Sequence, residues 1–188
     1  MRNKTVFLVF VAMALAACGA AIAPAQPPEV KTTMPAQITI PAPSQASPEI
    51  NGAVWINSQP LTAKDLRGKV VMVEFWTHGC VNCRNVIPEL KRMYAYYAAQ
   101  GFTIIGVHSP EFDYEKDADG VRQAVKDFGI AYPVVLDNDF ANWKRYRNAY
   151  WPAIYLLDKR GVLRYTHIGE GAYDITRSAI EQLLAEPF

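Results

Sequence analysis

The alternation of hydrophobic and polar positions predicts an α/β domain built around one strand–helix–strand unit. The segments Val70–Trp76 and Phe102–His108 are apolar almost throughout. Such runs are too continuous for a strand with one face in water, and they are typical of central strands covered on both sides. Between them, apolar residues recur at helical spacing within residues 80–99, which predicts a helix with one stripe towards the core. Since a helix connects the two strands, we expect them to pair in parallel.

The remaining pattern extends this unit into a larger sheet. Further strands are predicted at residues 53–57, 132–136, 153–157 and 162–168. Further helical segments are predicted within 61–69, at 121–128, after the capping residues 137–139, and after Asp174. We therefore expect an α/β fold with a mixed central sheet and helices on both faces. In chain order, the first long strands of this sheet are predicted to be parallel and the last two to form an antiparallel hairpin. A short N-terminal strand extends the sheet.

The N-terminus predicts export. Arg2 and Lys4 precede an apolar run at residues 5–17 that is too short for a stable membrane span. The run ends in Leu-Ala-Ala-Cys18, which resembles a bacterial lipobox, in which the signal is cut before the cysteine and the cysteine is lipidated. A plain secretory peptide cleaved nearby is the alternative interpretation. Both place the protein outside the cytoplasm, and the lipobox predicts a bacterial membrane-anchored lipoprotein, in the periplasm or on the outer face of the cell membrane.

Three parts of the chain follow from this interpretation. Residues 1–17 are predicted to be a signal peptide and residues 49–188 the folded domain. Residues 18–48 between them are rich in proline and alanine. Because proline removes backbone donors and stiffens the chain, we expect this stretch to be an extended, largely unpacked tether.

The net charge and the number of cysteines restrict the classes of function that the sequence supports. With 19 Lys+Arg and 18 Asp+Glu the net charge is +1, so no nucleic-acid partner is implied. The chain has 3 cysteines, and if lipid occupies Cys18 the remaining two are Cys80 and Cys83. A disulfide between residues three apart closes a tiny loop and stabilises a fold little. In an exported protein this C-x-x-C pair is therefore better explained by a role in redox chemistry than by a structural disulfide that stabilises the fold.

The position of the pair suggests how each thiol acts. Cys80 is predicted at the first turn of a helix, where unpaired N–H groups and the helix dipole favour thiolate over thiol. It is our candidate nucleophile towards a partner's disulfide, and Cys83, one turn deeper, would resolve the mixed disulfide. His78, two residues before Cys80, either stabilises the thiolate when protonated or is simply exposed.

Glu74 is a charged residue inside an apolar strand. Burial of an unpaired carboxylate is costly and raises its pKa, which suits the group to proton transfer. The alternative is a glutamate at a strand edge that reaches solvent or pairs with a basic side chain.

The order of these elements resembles the thioredoxin superfamily, with W-x-x-x-C-x-x-C after the first long strand and an aromatic-Pro before the final hairpin. Five segments are similar to its extracytoplasmic, TlpA-like branch, and within it to the thioredoxin-like domain of DipZ-type proteins: FWTHGCVNC, GVHSPEF, YPVVLDND, YRNAYWPAIYLLD and GEGAYD. The similarity covers residues 50–184. It implies a thioredoxin-like fold, thiol–disulfide oxidoreductase activity in the reducing direction, and no cofactor beyond a redox-active Cys80–Cys83 disulfide.

The resemblance also carries over to individual residues. Glu74 aligns with the buried carboxylate that thioredoxins place behind their cysteines, usually an aspartate, and would be the acid/base for Cys83. Pro152 matches the family's cis-proline, so Trp151 would offer backbone hydrogen bonds and a flat ring to a bound peptide. Trp76 is expected to form a wall of that groove, with core packing as the alternative.

The expected partners follow from the same resemblance. Substrates would be dithiols or disulfides of exported proteins, and the lipid on Cys18 would hold the chain at a membrane. DipZ-type proteins also carry a transmembrane electron-transfer domain, and this chain shows no such segment. We therefore expect a separate membrane electron-transfer protein, CcdA/DsbD-like, as reductant.

Three features leave alternatives open. Thr77 and Cys80 form a T-x-x-C, as in peroxiredoxins, but Val73 stands where those proteins have proline, which weighs against a thiol peroxidase. Cys80 and Cys83 with a histidine, His78 or His108, would also suit a copper-binding module, although Sco-type copper proteins space their cysteines one residue wider. Finally, Val-Asn replaces the Gly-Pro usual between the thioredoxin cysteines, and leaves the direction of electron flow open.

Overall fold

The computed structural model describes residues 46–188. The predicted signal peptide, Cys18 and the predicted tether up to residue 45 lie outside the described residues. None of the helices between residues 46 and 188 has the length and apolar character needed to cross a bilayer.

One mixed sheet forms the centre of the described domain. Its strands are β1 (Trp55–Ile56), β2 (Val70–Trp76), β3 (Phe102–His108), β4 (Val134–Leu136), β5 (Ala153–Leu157) and β6 (Leu163–Ile168). They lie in the order β1-β4-β3-β2-β5-β6. β2, β3 and β4 pair in parallel, whereas β1, β5 and β6 run antiparallel to their neighbours. The predicted mixed sheet, with a hairpin at one edge and a short N-terminal strand at the other, is confirmed.

Helices cover both faces of the sheet. They are α1 (Ala63–Leu66), α2 (Val81–Tyr97), α3 (Ala118–Asp127), α4 (Ala141–Arg145) and α5 (Tyr173–Ala185). A 3₁₀ turn, Asp113–Lys116, lies between β3 and α3, within the polar and acidic segment 109–119 for which the sequence predicts a loop or irregular insertion. Helix α5 begins one residue before Asp174, which therefore lies in its first turn and not at the cap. There the carboxylate still faces the positive end of the helix dipole.

The alternation of side chains along β2 divides the core into two clusters. Val70, Met72 and Trp76 belong to the cluster that packs under α2, α3 and α5 and contains Cys83. The odd-numbered side chains of β2 belong to the opposite cluster, which packs against α1 and α4. Because successive side chains of a strand point to opposite faces, Glu74 lies on the Cys83 side of the sheet.

Contacts with the folded domain begin before the predicted boundary at residue 49. Ala46 forms an antiparallel bridge with Val162, and the N–H of Ser47 donates to the carbonyl oxygen of Gly161 at 2.8 Å. The Tyr146 hydroxyl donates to the carbonyl oxygen of Pro48 at 3.1 Å. The last three residues of the predicted tether are therefore bound to the domain.

Candidate active site

Cys80 lies at the N-terminus of α2, a short turn after β2 ends at Trp76. Its N–H donates to the carbonyl oxygen of Thr77 at 3.3 Å, and its Sγ accepts the N–H of Cys83 at 3.3 Å. Cys80 is thus the N-cap of a 17-residue helix, with its sulfur at the positive end of the dipole. The residue is only half-buried. The position both admits a partner and stabilises negative charge on sulfur, the reactive form of a thiol.

The two thiols differ in access. Cys83 is completely buried, whereas Cys80 is half-buried, and both are free thiols. Burial first, and then the neighbouring Cys80 and Glu74, raise the pKa of the Cys83 thiol well above its usual value. Cys83 therefore stays protonated until a base removes its proton. This asymmetry suits an accessible attacking thiol and a protected resolving thiol.

Glu74 is fully buried on the Cys83 side of β2. Its Oε2 accepts a hydrogen bond from the Tyr132 hydroxyl at 3.1 Å, and its Oε1 has no hydrogen-bond partner. Burial raises the pKa of Glu74 to about 8, against the opposing effect of the Tyr132 bond. The strand-edge alternative is therefore wrong. At neutral pH this carboxyl group is mostly protonated, and it can give or take a proton within the cluster that holds Cys83.

Trp76 requires a correction, because it does not line an open groove. The side chain is fully buried in the same cluster as Cys83. Its ring packs edge-on against His108, with centroids 5.1 Å apart, and against Phe128 at 6.4 Å. The cause is its even-numbered position on β2, which directs the ring under α2 and α3. The structure thus shows Trp76 in the core.

His78 and His108 form a pair beside the Cys80 turn. The backbone N–H of His78 donates to His108 Nε2 at 3.3 Å, so this nitrogen is an acceptor and His108 carries its proton on Nδ1. The His78 Nδ1 and the Thr77 hydroxyl oxygen also lie 3.0 and 3.3 Å from the same Nε2. Burial first, and then the charge of His78, lower the pKa of His108 to about 4. A neutral His108 therefore fixes the orientation of His78.

The same geometry bears on the peroxidase alternative. In that mechanism the T-x-x-C threonine positions the reactive thiol. Here the Thr77 hydroxyl is buried and directed to His108 Nε2, and only the carbonyl oxygen of Thr77 binds Cys80, through its N–H. The threonine therefore supports the turn and does not contact the sulfur through its side chain.

Pro152 is buried, and the Trp151–Pro152 peptide bond is cis. The antiparallel register pairs Ala153 with Phe75, so Pro152 lies beside the end of β2 from which the Cys80 turn begins. Trp151 is half-buried; its Nε1 donates to the carbonyl oxygen of Ser109 at 3.0 Å, and its ring lies 4.2 Å from that of Trp143. The structure thus places Trp151 and Pro152 next to the cysteine turn.

Glu115, which the sequence left in an acidic loop, is part of this site. The side chain is fully buried, and its Oε1 accepts the N–H of Gly79 at 2.9 Å. Its Oε2 accepts the N–H of Glu111 at 2.6 Å and of Phe112 at 2.9 Å. Burial raises the pKa of Glu115, but these donors together with the Thr77 hydroxyl outweigh it and hold the pKa below its usual value. An ionised carboxylate therefore supports the residue that precedes Cys80.

Two contributors, Tyr132 and Glu115, were missed from sequence. Tyr132 did carry a signal, because it begins a predicted strand of the central sheet, and a tyrosine hydroxyl that becomes buried there needs a hydrogen-bond partner. Glu115 carried none, because acidic loop residues are ordinary.

No group of three or more His, Cys, Asp or Glu side chains within residues 46–188 is arranged to hold a metal ion.

Comparison with known proteins agrees with this geometry. Residues 41–166 match the model of the AhpC/TSA family. Protein DipZ of Mycobacterium bovis is 42% identical over 142 residues, which is 73% of this chain and 20% of that protein. The chain thus spans about a fifth of the length of this relative. The thiol-disulfide oxidoreductase YkuV of Bacillus subtilis is 26% identical over 143 residues, which is 76% of this chain and 96% of YkuV.

Solved structures show the same fold. The crystal structure of a thioredoxin-like superfamily protein superimposes with a TM-score of 0.72 at 25% identity, and covers 77% of this chain and 99% of its own. The chain therefore belongs to the AhpC/TSA family and has the thioredoxin-like fold of thiol–disulfide oxidoreductases.

Proposed function

We propose that this oxidoreductase acts by thiol–disulfide exchange through Cys80 and Cys83, and that it reduces disulfides in exported proteins. The observation that carries the proposal is the difference in access between two sulfurs one helical turn apart. Cys80 Sγ caps the helix at the surface, and Cys83 is completely buried behind it. A partner's disulfide can reach only the first of the two.

The exchange has two steps. The Cys80 thiolate attacks one sulfur of the partner's disulfide, that S–S bond breaks, and the leaving sulfur takes up a proton. Cys83 then loses its proton and attacks the Cys80 sulfur, which releases the partner's second sulfur as a thiol. The partner gains two electrons, and the protein is left with a Cys80–Cys83 disulfide.

Glu74 serves the second step. The raised pKa of Cys83 means that resolution requires a base inside the core. Glu74 lies on the same face of the sheet, and Tyr132 holds one of its oxygens. With its pKa raised to about 8, a fraction of the carboxyl groups is ionised at neutral pH and can accept the Cys83 proton, directly or through water.

The cellular setting of the proposal rests on the N-terminal sequence. The basic start, the short apolar run and the lipobox-like cysteine support an exported lipoprotein anchored through Cys18, in the periplasm or on the outer face of the cell membrane. Its substrates would be exported proteins with cysteine pairs. A separate membrane electron-transfer protein of the CcdA/DsbD-like type would return the Cys80–Cys83 disulfide to the dithiol.

The first test is the reduction potential of the pair. A Cys18→Ser chain leaves Cys80 and Cys83 as the only thiols, and it is equilibrated with thiol buffers of known potential. We expect a value close to that of thioredoxin, roughly −270 mV, which suits a reductant. A value near that of a strong oxidant, roughly −120 mV, would reverse the proposed direction. Failure to form the disulfide would refute the exchange mechanism itself.

The thiol peroxidase alternative has its own readout. Turnover of hydrogen peroxide, with a sulfenic acid on Cys80 of a Cys83→Ser variant, would support it. We expect no such turnover, because the Thr77 hydroxyl lies 3.3 Å from His108 Nε2 and its side chain makes no hydrogen bond to the Cys80 sulfur in the described residues.

A further inference from the structure

The segment between β3 and α3 packs directly against the Cys80 turn. We call residues 109–116 the aromatic loop, since they include Phe112 and Tyr114. The Glu115 carboxylate, itself bound to the N–H groups of Glu111 and Phe112, accepts the N–H of Gly79 at 2.9 Å. Gly79 immediately precedes Cys80. One buried carboxylate therefore joins the loop to the turn that carries the nucleophile.

Two more contacts extend this attachment. The Tyr114 ring lies 6.0 Å from the His78 ring in an edge-on arrangement. At its other end, the loop accepts the Trp151 Nε1–H at the carbonyl oxygen of Ser109, at 3.0 Å. The aromatic loop is thus continuous with both parts of the proposed substrate site, the Cys80 turn and the Trp151–Pro152 segment.

The rings of this loop are exposed. Phe112 is 53% and Tyr114 64% accessible, and the two rings stack on each other with centroids 5.8 Å apart and planes 6° apart. Of the 9 large hydrophobic side chains exposed in residues 46–188, four lie on this loop or directly beside Cys80 or Trp151: Val81, Phe112, Tyr114 and Tyr150. A cluster of exposed apolar side chains beside a reactive group is typical of a binding surface.

We propose that Phe112 and Tyr114 form a subsite for an aromatic or large aliphatic side chain next to the reacting cysteine of a polypeptide disulfide, with Glu115 as its positioning residue. The inference rests on the proposed exchange function. A polypeptide is the occupant because its sulfur must reach Cys80, and an extended chain advances only about 3.3 Å per residue. The next residues of the substrate therefore lie over the turn that Tyr114 touches. A ring or large aliphatic group there would cover apolar surface that water otherwise contacts.

The test compares two disulfide-bonded peptides that are identical except for Phe or Ser beside one cysteine. Their reduction by the full chain carrying Cys18→Ser is followed under pre-reduced, single-turnover conditions. We expect the Phe peptide to react about tenfold more efficiently, a ratio that corresponds to partial burial of one ring. In a Phe112→Ala, Tyr114→Ala double variant this ratio should fall to near one. Tyr96→Ala, which removes an exposed tyrosine of α2, is the matched control and should keep the full ratio.

The positioning role of Glu115 is tested with the same ratio. Glu115→Gln puts an amide donor among three N–H donors, which should release the loop and lower the ratio with both rings intact. Glu111→Gln removes the same charge from the same loop without touching the Gly79 bond, and should keep the ratio. A purely structural loss would slow both peptides equally and leave the ratio unchanged, which would refute positioning.

The outcomes separate the two proposals. Equal rates for both peptides in the wild-type chain would overturn the subsite while the exchange function stands. No reaction with either peptide would refute the exchange function and the subsite with it.

Discussion

At the residue scale, Glu74 is the clearest case of an ionisable side chain in an environment that disfavours its charged form. The carboxyl group is fully buried with one hydrogen-bond partner, and one of its oxygens has none. A carboxyl group in such surroundings is stabilised as the neutral acid, so its pKa is raised from 4.5 to about 8. The buried carboxyl group therefore costs stability at alkaline pH, and under the proposed function it accepts the proton of Cys83.

The raised pKa of buried Glu74 predicts how the free energy of unfolding depends on pH. Folded Glu74 binds a proton more tightly than unfolded Glu74, so the stability it contributes is full below its unfolded pKa of 4.5 and is lost as the pH rises through about 8. Glu74→Gln cannot ionise. Between about pH 4 and about pH 9, the free energy of unfolding of Glu74→Gln should therefore rise relative to that of the wild type by on the order of 4–5 kcal/mol. Urea unfolding at a series of pH values measures the difference.

A difference that stays constant over this pH range would contradict the raised pKa. Glu111→Gln is the control, because Glu111 is exposed and its loss should add no pH dependence of this size. Resolution by Cys83 should also slow in Glu74→Gln, and the mixed disulfide with Cys80 should accumulate.

At the element scale, the turn between β2 and α2 is held from outside by the aromatic loop. The turn contributes Cys80, but its backbone N–H groups are bound by His108 Nε2 and Glu115, 30 and 36 residues further along the chain. The local hydrophobic pattern predicts helix α2. The hydrogen bonds from His108 and Glu115, which are distant in sequence, fix the turn and thereby the orientation of Cys80 at the start of that helix. A change at the contact should therefore disturb the site without touching either cysteine.

Gly79→Ala is the element-scale prediction. An added Cβ would lie 2.3 Å from Glu115 Oε1 and 2.6 Å from the Tyr114 hydroxyl, so the Glu115 carboxylate, which is held by three N–H groups, and the Tyr114 ring must shift. We expect a loss of about 1–3 kcal/mol in the free energy of unfolding, together with a lower preference for the Phe peptide. Gly120→Ala in α3 is the control, because its nearest contact is a flexible carboxylate at 3.3 Å and alanine favours helix. Equal stability of Gly79→Ala and Gly120→Ala would show that the aromatic loop does not pack tightly against Gly79.

At the scale of the whole molecule, the first described residues, 46–48, are bound to the β5–β6 hairpin and to Tyr146. Ala46 pairs with Val162, Ser47 binds Gly161, and the Tyr146 hydroxyl contacts Ser47 at 2.7 Å and Pro48 at 3.1 Å. The folded unit therefore includes residues that composition assigned to the tether.

Truncation tests this boundary. A chain that begins at Glu49 loses the bridge and these hydrogen bonds, and its free energy of unfolding should be about 1–2 kcal/mol smaller than that of a chain that begins at Ala46. A chain that begins at Cys18 should match the chain that begins at Ala46, because the composition of residues 18–45 predicts an unpacked tether. Chemical denaturation of the three chains provides the comparison. Equal stability of the Ala46 and Glu49 chains would move the boundary back to residue 49, where the sequence placed it.

The amino-acid sequence was enough to predict the elements, the mixed sheet, the C-x-x-C pair at a helix start and a carboxylate inside an apolar strand. These predictions rest on local patterns, since periodicity indicates which residues face the core. Periodicity does not indicate which residues meet across the core. The burial of Trp76, the hydrogen bond from Tyr132 to Glu74, 58 residues apart, and the support of Gly79 by Glu115 became visible only in the folded chain. Those contacts depend on how strands pair and loops return to the sheet.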